Sequence, residues 1–254
     1  MVEKYDVWYD PANENRKLRI YLPNNYYSTE ERYPVVYMFD GQNLFFDREA
    51  TYGTCWGMKE FLDKWGKKMI VVGIPCAQDI RRLSEYCPYD VNHSFVGNHE
   101  GAIEGRGDKT MQWIIQSLKP HIDNTYRTYP LRECTAIAGS SMGGIMALYA
   151  VLRYNQYFSK AAVISPALGD VYENFLEEIQ EHQLLPDTRV FFGWGTDEWS
   201  GHSMAGLAKQ VYQIEKEIQK SWCTTYINCQ HGGVHNESSW RKQIPIWMQF
   251  LWFD

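Results

Sequence analysis

The alternation of short apolar runs with helical patterns is the feature that most constrains how this chain can fold. Val35–Phe39 and Met69–Ile74 are continuous apolar runs, as is typical of strands buried on both faces of a sheet. Because parallel strands are joined by crossover helices, the alternation predicts an α/β fold with a mostly parallel sheet and helices on both faces. Six further strands bring the predicted total to eight: Tyr5–Tyr9, Leu18–Leu22, Thr135–Ala138, Lys160–Ile164, Val190–Phe192 and Thr224–Asn228.

The same pattern predicts one domain over residues 1–254, a length suited to a single large α/β domain. The first two strands flank a turn with Pro11 and Asn13, which predicts an antiparallel edge hairpin. Residues 75–108 are polar and aromatic with little periodicity, so we expect a loop that covers the substrate. Helices are predicted at Cys55–Trp65, Lys109–Leu118, Met142–Tyr154, Lys209–Lys220 and Ser239–Trp252, with Pro120 ending or kinking the second.

Charge and hydropathy exclude several classes of protein. Lys and Arg number 25 against 31 for Asp and Glu, a net charge of −6 that disfavours a nucleic-acid partner. The chain has neither a signal-peptide-like start nor about 18 consecutive apolar residues, so we expect a cytoplasmic protein without a membrane partner. The six cysteines form no C-x-x-C pair and are expected to be free thiols. The oligomeric state stays open, a homo-oligomer included.

The motif that carries the most chemistry is Gly139-Ser140-Ser141-Met142-Gly143, a G-x-S-x-G sequence between a predicted strand and a predicted helix. A nucleophilic serine at its centre, Ser141, would sit on a strained strand-to-helix turn that tolerates only small flanking residues. The same turn aims the Met142 backbone N–H at a developing oxyanion. The motif therefore predicts nucleophilic catalysis by Ser141.

A serine nucleophile requires a base, and in this fold the acid and then the histidine follow it along the chain. His235 lies in a Gly-rich stretch between the last predicted strand and the last predicted helix, and it fits this role better than His231. Asp197 and Glu198 both follow a strand, and the residues alone leave the choice of acid open. Cys229, His231 and His235 are a weak candidate for a zinc site because their spacing matches no recognised ligand set.

A second oxyanion donor is expected in the loop after Val35–Phe39, where Gly41 permits a tight turn. Gln42 or Asn43 would offer the backbone N–H. Asp40 is expected to stabilise the turn by bonding its backbone.

Four segments of the chain together carry a resemblance to a known family: Val36–Phe45, Gly139–Gly144, Ser165-Pro166 and Gly233–Glu237. They resemble the putative esterase family, which groups esterase D, enterochelin esterases, feruloyl and acetyl xylan esterases, and mycolyl transferases. The resemblance spans nearly the whole chain and implies an α/β-hydrolase fold with a Ser-acid-His triad. It places the acid at Glu198 and the oxyanion donors at the N–H groups of Gln42 and Met142.

The expected function is that of a serine carboxylic-ester hydrolase that works through an acyl-enzyme and needs no metal or organic cofactor. Its partner would be a small-molecule ester with a short acyl or a hydroxycinnamoyl group. The alternatives are an acyltransferase of the same fold and a non-catalytic binding module. Substrate-binding candidates are Arg81, Arg82, Glu85 and Tyr86 in residues 75–108, together with Trp194 and Trp199, and one of the two arginines would hold a substrate carboxylate or phosphate.

Overall fold

An eight-stranded sheet forms the centre of the computed structural model, which describes residues 1–96, 99–199 and 201–253. The strand order is β1-β2-β4-β3-β7-β8-β9-β10, and β5 and β6 form a separate two-stranded sheet. The strands are β1 Val2–Tyr9, β2 Glu14–Tyr21, β3 Val35–Met38, β4 Ile70–Gly73, β5 Val91–Val96, β6 His99–Ile103, β7 Thr135–Ser140, β8 Lys160–Ile164, β9 Arg189–Gly195 and β10 Thr224–Gln230.

The sheet is mostly parallel, as the sequence predicts. β1 and β2 form the expected antiparallel hairpin at one edge, and β2 also pairs antiparallel with β4. The pairs from β4 to β10 are all parallel. In the hairpin turn Asn13 takes a left-handed φ of 53°, a conformation that asparagine tolerates better than most residues.

Both faces of the central strands are buried, which explains their uninterrupted apolar sequence. On β3, Val35 and Tyr37 belong to one hydrophobic cluster, whereas Val36 and Met38 belong to the other. Since neighbouring side chains on a strand point to opposite faces, each cluster occupies one side of the sheet. The predicted α/β fold with helices on both faces is confirmed.

The helices are α1 Met58–Leu62, α2 Arg81–Glu85, α3 Gly107–Trp113, α4 Lys119–Thr125, α5 Met142–Arg153, α6 Tyr172–Glu181, α7 Gly201–Gln219, α8 Glu237–Trp240 and α9 Ile244–Trp252. α6 was not predicted. α1 is shorter than the predicted Cys55–Trp65 because Gly57, at φ 67°, makes a left-handed turn immediately before it. The predicted helix at Ser239–Trp252 is divided into α8 and α9 by a 3₁₀ turn over Arg241–Gln243.

Residues 75–108 are more ordered than the loop that the sequence predicts. They contain α2 and the antiparallel β5–β6 hairpin, and β5 packs against a 3₁₀ turn at Gly169–Val171. The pairing of β5 with β6 shifts register between Val91 and Ser94, which interrupts the period-two alternation by which a strand is recognised in a sequence.

Within the described ranges, no helix combines the length and apolar character needed to cross a membrane.

Candidate active site

The turn between β7 and α5 carries Ser141 in a strained backbone conformation, with φ 57° and ψ −121°. Such a conformation is unfavourable for a residue with a side chain and persists only where its surroundings impose it. Here the Ser141 N–H donates to the Ile164 carbonyl at 3.0 Å, and the Ser141 carbonyl accepts from Gly144, Ile145 and Ala167. These four hydrogen bonds fix the turn against β8 and α5.

The small residues of the serine motif are required by the closeness of the backbone on either side of this turn. A Cβ on Gly139 would lie 2.3 Å from the Gly143 carbonyl oxygen, far inside van der Waals contact. A Cβ on Gly143 would lie 3.0 Å from the Phe39 Cβ. Glycine at both positions therefore lets β7, α5 and the end of β3 approach one another, with Ser141 between them.

Glu198 and His235 are joined by a hydrogen bond of 2.9 Å between Glu198 Oε2 and His235 Nδ1. The Glu198 side chain is completely buried, and its Oε1 accepts from the Gly195 N–H at 2.7 Å and from Ser165 Oγ at 2.5 Å. Asp197, the other candidate acid, is exposed and accepts from the Thr196 hydroxyl. The structure thus brings Glu198, and not Asp197, to the imidazole.

Ser165 is a functional candidate that the sequence reasoning did not single out. Its Oγ donates to Glu198 and accepts from the Trp240 indole N–H at 2.8 Å. Ser165 has φ 44° and is fully buried, so its hydroxyl is held rigidly beneath the carboxylate. The only signal in the sequence was its place in one of the segments that carry the family resemblance.

His235 lies between two tryptophans. The Trp199 ring centroid is 4.7 Å from that of the imidazole, and the Trp240 ring meets the imidazole edge at 5.0 Å. Ser141 and His235 both line one cavity of about 980 Å³. Among the described residues no hydrogen bond joins their side chains, and catalytic hydrogen bonds often shorten only when substrate is bound.

The predicted oxyanion donors, Gln42 and Met142, both line this cavity. Within the described part of the chain, neither backbone N–H has a hydrogen-bond acceptor. Gln42 lies in a 3₁₀ turn over Gly41–Asn43, and Met142 is the first residue of α5. Both groups are therefore free to receive an oxygen atom from a bound molecule.

Asp40 holds the Gln42 loop in a different way from the one expected. Its carboxylate makes no capping bond to the turn and instead pairs with Arg82 through Nε at 2.6 Å and Nη2 at 2.7 Å. Its N–H donates to the buried Tyr86 hydroxyl at 3.2 Å. The loop is thus tied to α2 and the residue that follows it.

Of the six residues proposed to bind substrate, two line the cavity, Arg82 and Trp199. Arg81 is exposed and pairs with Asp79 and Glu14, and Glu85 pairs with Arg16 in the interior. Tyr86 is 0% exposed and Trp194 is buried in the core on β9, so neither reaches the cavity surface. The sequence could not separate these residues because their types suit a pocket and a core equally well.

The structure adds Asn43 and Glu237 to the cavity wall, and sequence reasoning had given neither a role beyond a backbone N–H at Asn43. Asn43 Nδ2 donates to Glu237 Oε1 at 2.9 Å. Glu237 is 3% exposed, and its burial raises the pKa of the carboxyl above its ordinary value, with the charge of Asp40 acting in the same direction. In the described ranges no group of three or more His, Cys, Asp or Glu side chains is placed to hold a metal ion.

Comparison with known proteins gives one family. A family model described as Putative esterase matches residues 11–250. Among curated proteins, YbbA of Bacillus subtilis (strain 168) is 25% identical over 244 residues, which cover 94% of this chain and 93% of YbbA.

Solved structures share the fold over nearly the whole chain. An IroE-like serine hydrolase from Shewanella oneidensis has a TM-score of 0.75 at 20% identity, and the superposition covers 98% of this chain and 80% of the hydrolase chain. The enterobactin esterase FES from Shigella flexneri has a TM-score of 0.74 at 17% identity, over 99% of this chain and 58% of its own. At these identities the likeness shows the fold.

Proposed function

Because this chain belongs to the Putative esterase family and is a carboxylic ester hydrolase, we propose that it cleaves its substrate with a triad of Ser141, Glu198 and His235. The observation that carries the proposal is the 2.9 Å hydrogen bond between buried Glu198 and His235, at a cavity that Ser141 also lines. A histidine oriented by an acid beside a serine on a strained turn is the arrangement that activates a hydroxyl for attack on a carbonyl.

In the first half of the reaction His235 Nε2 takes the proton of Ser141 Oγ as that oxygen attacks the ester carbonyl. The bond to the leaving alcohol then breaks, and the alcohol oxygen takes the proton from His235, which leaves the acyl group on Ser141. In the second half His235 deprotonates a water molecule whose oxygen attacks the acyl carbon. The bond from that carbon to Ser141 Oγ then breaks, Ser141 Oγ takes the proton from His235, and the carboxylic acid leaves. Glu198 keeps the Nδ1–H tautomer and stabilises the imidazolium in both halves.

The oxyanion of each tetrahedral intermediate would be held by the backbone N–H groups of Gln42 and Met142. The support for this assignment is that both residues line the cavity and that their backbone N–H groups lack an acceptor among the described residues. Donors that are already oriented stabilise charge that develops in the transition state without a cost of reorganisation. Trp199, beside His235 and at the cavity wall, is the predicted substrate contact that we retain.

The test is a comparison of initial rates for the native chain, Ser141→Ala and Ser140→Ala on nitrophenyl acetate, butyrate and octanoate and on methyl hydroxycinnamates. Ser141→Ala is expected to lower kcat/KM by roughly 10³-fold or more, since only binding and the oxyanion donors remain. Ser140→Ala, the adjacent serine within β7, is the matched control and is expected to cost less than about tenfold. Equal rates for the native chain and Ser141→Ala would contradict the proposal.

The acyl-enzyme is tested separately by adding methanol to esters that share an acyl group but differ in the leaving alcohol. If all of them pass through one acyl-enzyme, the ratio of free acid to methyl ester is the same for each substrate. A ratio that changes with the leaving alcohol would exclude a common intermediate.

A further inference from the structure

The charges at the wall of the cavity are strongly unbalanced. Among the lining residues that the structure describes, four are carboxylates and one is a guanidinium, Arg82. Both nitrogens that Arg82 directs at Asp40 are engaged, in a bidentate pair of the geometry that best satisfies a guanidinium. These bonds use two of the five N–H groups of Arg82, and the Asp40 carboxylate balances its charge, so Arg82 adds no net positive charge to the wall. The carboxylates are Asp40, Asp79, Asp170 and Glu237.

Glu237 differs from the other three acids in being buried and unpaired. Asp40 is neutralised by Arg82, Asp79 pairs with Arg81 at the surface, and Asp170 is exposed to solvent. Glu237, at 3% exposure, has no Lys or Arg in ion-pair contact among the described residues. A buried carboxylate without a counterion is costly, and a donor brought by a ligand would offset that cost.

The orientation of Glu237 is fixed by Asn43. The Thr51 N–H donates to Asn43 Oδ1 at 2.9 Å, which turns Asn43 Nδ2 toward Glu237 Oε1. Within the described ranges no side-chain donor reaches Glu237 Oε2. Asn43 and the backbone N–H of Glu237 itself thus hold the carboxylate, and no side chain of the described residues competes with a ligand for Oε2.

The rest of the wall suits a cation with an apolar body. Tyr52 and Trp199 are exposed aromatic side chains that line the cavity, and aromatic faces attract ammonium groups. The apolar part of the wall comes from residues that also belong to, or pack against, one hydrophobic cluster. They include Leu83, Val91, Ile145 and Leu207.

We propose that Glu237, oriented by Asn43, is a subsite for a protonated amine on the ester substrate, so that the enzyme selects cationic over neutral and anionic esters. The proposal rests on the hydrolysis proposed for Ser141 and names the chemical class of its substrate. An ammonium N–H donates to Glu237 Oε2 in a charge-assisted hydrogen bond, while the apolar part of the substrate packs on the apolar part of the wall. The selectivity is against a substrate carboxylate or phosphate, the ligand at first expected for Arg81 or Arg82.

The experiment uses pairs of esters that match in shape and differ in charge. For the alcohol side the pair is 2-(dimethylamino)ethyl butyrate and 3-methylbutyl butyrate. For the acyl side it is ethyl 4-(dimethylamino)butanoate and ethyl 5-methylhexanoate, and monoethyl adipate supplies an anion of similar length. The kcat/KM ratio of each pair is measured near neutral pH, where the amines are protonated. For at least one pair, the kcat/KM of the cationic ester is expected to exceed that of its neutral isostere about tenfold, the effect of one charge-assisted hydrogen bond. The anionic ester is expected to have the lowest kcat/KM.

Glu237→Gln keeps the shape of the side chain and its acceptor for Asn43 but removes the charge. For the pair in which the native enzyme prefers the cationic ester, the variant is therefore expected to bring the cationic-to-neutral ratio of kcat/KM to near one. Asp170→Asn is the matched control, an acid at the same wall that is exposed, and its ratio is expected to change less than about threefold. If the ratio falls equally in both variants, the proposal is overturned, because the cation is then attracted by the summed negative charge of the cavity wall and not by Glu237 itself.

The failure of this inference can be told from failure of the proposed function. If Ser141→Ala abolishes hydrolysis of the neutral esters while both native ratios are at or below one, the subsite is refuted and the triad stands. If Ser141→Ala retains native rates, the proposed function itself fails. The native ratios need no variant, so the test holds even if Glu237→Gln does not fold.

Discussion

Glu198→Gln provides the sharpest test of the triad because the structure dictates how the glutamine must orient. Glu198 Oε1 accepts two hydrogen bonds, from the Gly195 N–H and from Ser165 Oγ, whereas Oε2 meets only His235 Nδ1. A glutamine has one acceptor oxygen, and the two donors at the Oε1 position, one of them a fixed backbone N–H, will select it. The amide NH₂ must then face His235.

An NH₂ group opposite Nδ1 forces the imidazole to accept there, so its proton moves to Nε2. In that tautomer Nε2 cannot take the proton of Ser141, although the geometry of the site is unchanged. The same type of exchange in a Ser-His-Asp triad lowers kcat by about 10⁴-fold, which corresponds to about 5 kcal/mol of transition-state stabilisation. We expect a loss of that size in kcat, with KM little changed.

The assay is steady-state hydrolysis of nitrophenyl butyrate by the native chain, Glu198→Gln and Asp197→Asn, with folding checked by circular dichroism. Asp197→Asn is the matched control, because Asp197 is adjacent and exposed, and among the described residues its side chain is bonded only to the Thr196 hydroxyl. It should retain kcat within about threefold. A Glu198→Gln variant within tenfold of native kcat, or an Asp197→Asn variant with the larger loss, would refute the assignment.

Two further substitutions test the support around the site. Arg82→Met leaves the buried Asp40 carboxylate without its counterion and is expected to lower the free energy of unfolding by about 2–4 kcal/mol in urea titrations, since Arg82 is itself partly exposed. Arg81→Met removes an exposed pair and should cost less than about 1 kcal/mol, so equal losses would contradict the argument. Ser165→Ala removes one donor to Glu198 and should lower kcat about tenfold or more without raising KM, whereas a rise in KM alone would indicate a role in binding.

The sheet was predictable from the sequence because its central strands are buried on both faces. Such strands are apolar throughout, and their pattern survives whatever packs against them. The β5–β6 hairpin and α6 were missed for the opposite reason. The hairpin lies outside the main sheet and contains a register shift, and α6 buries four of its ten residues, one of them the polar Glu178.

The serine motif was predictable because close backbone contacts on either side of Ser141 allow only glycine at two positions, and these glycines are visible in the sequence. No pattern in the residues separates Asp197 from Glu198, since both acids follow the same strand. The structure separates them through a close approach of two loops. A Cβ on Gly195 would lie 2.2 Å from the Gly233 carbonyl oxygen, and the Asp197 N–H donates to that oxygen at 2.8 Å. This contact binds the acid loop to the histidine loop, with Glu198 turned inward to His235.

The cavity residues depend on contacts between segments that are far apart in sequence, and this is why residue type alone misassigned several of them. Asn43 meets Glu237 across 194 positions, and Asp40 meets Arg82 across 42. Both contacts flank Gln42, whose N–H is the proposed oxyanion donor, so the loop that carries it is held from two sides.

The two acids in these contacts, Asp40 and Glu237, differ in whether a basic side chain pairs with them. Asp40 is neutralised by its arginine and is purely a support, whereas Glu237 lines the cavity and has no Lys or Arg in ion-pair contact among the described residues. Under the two proposals, a substrate that brings a cation to Glu237 would meet the side chain that bonds Asn43, next to the proposed oxyanion donor Gln42, and this would link the recognition of charge to the position of Gln42.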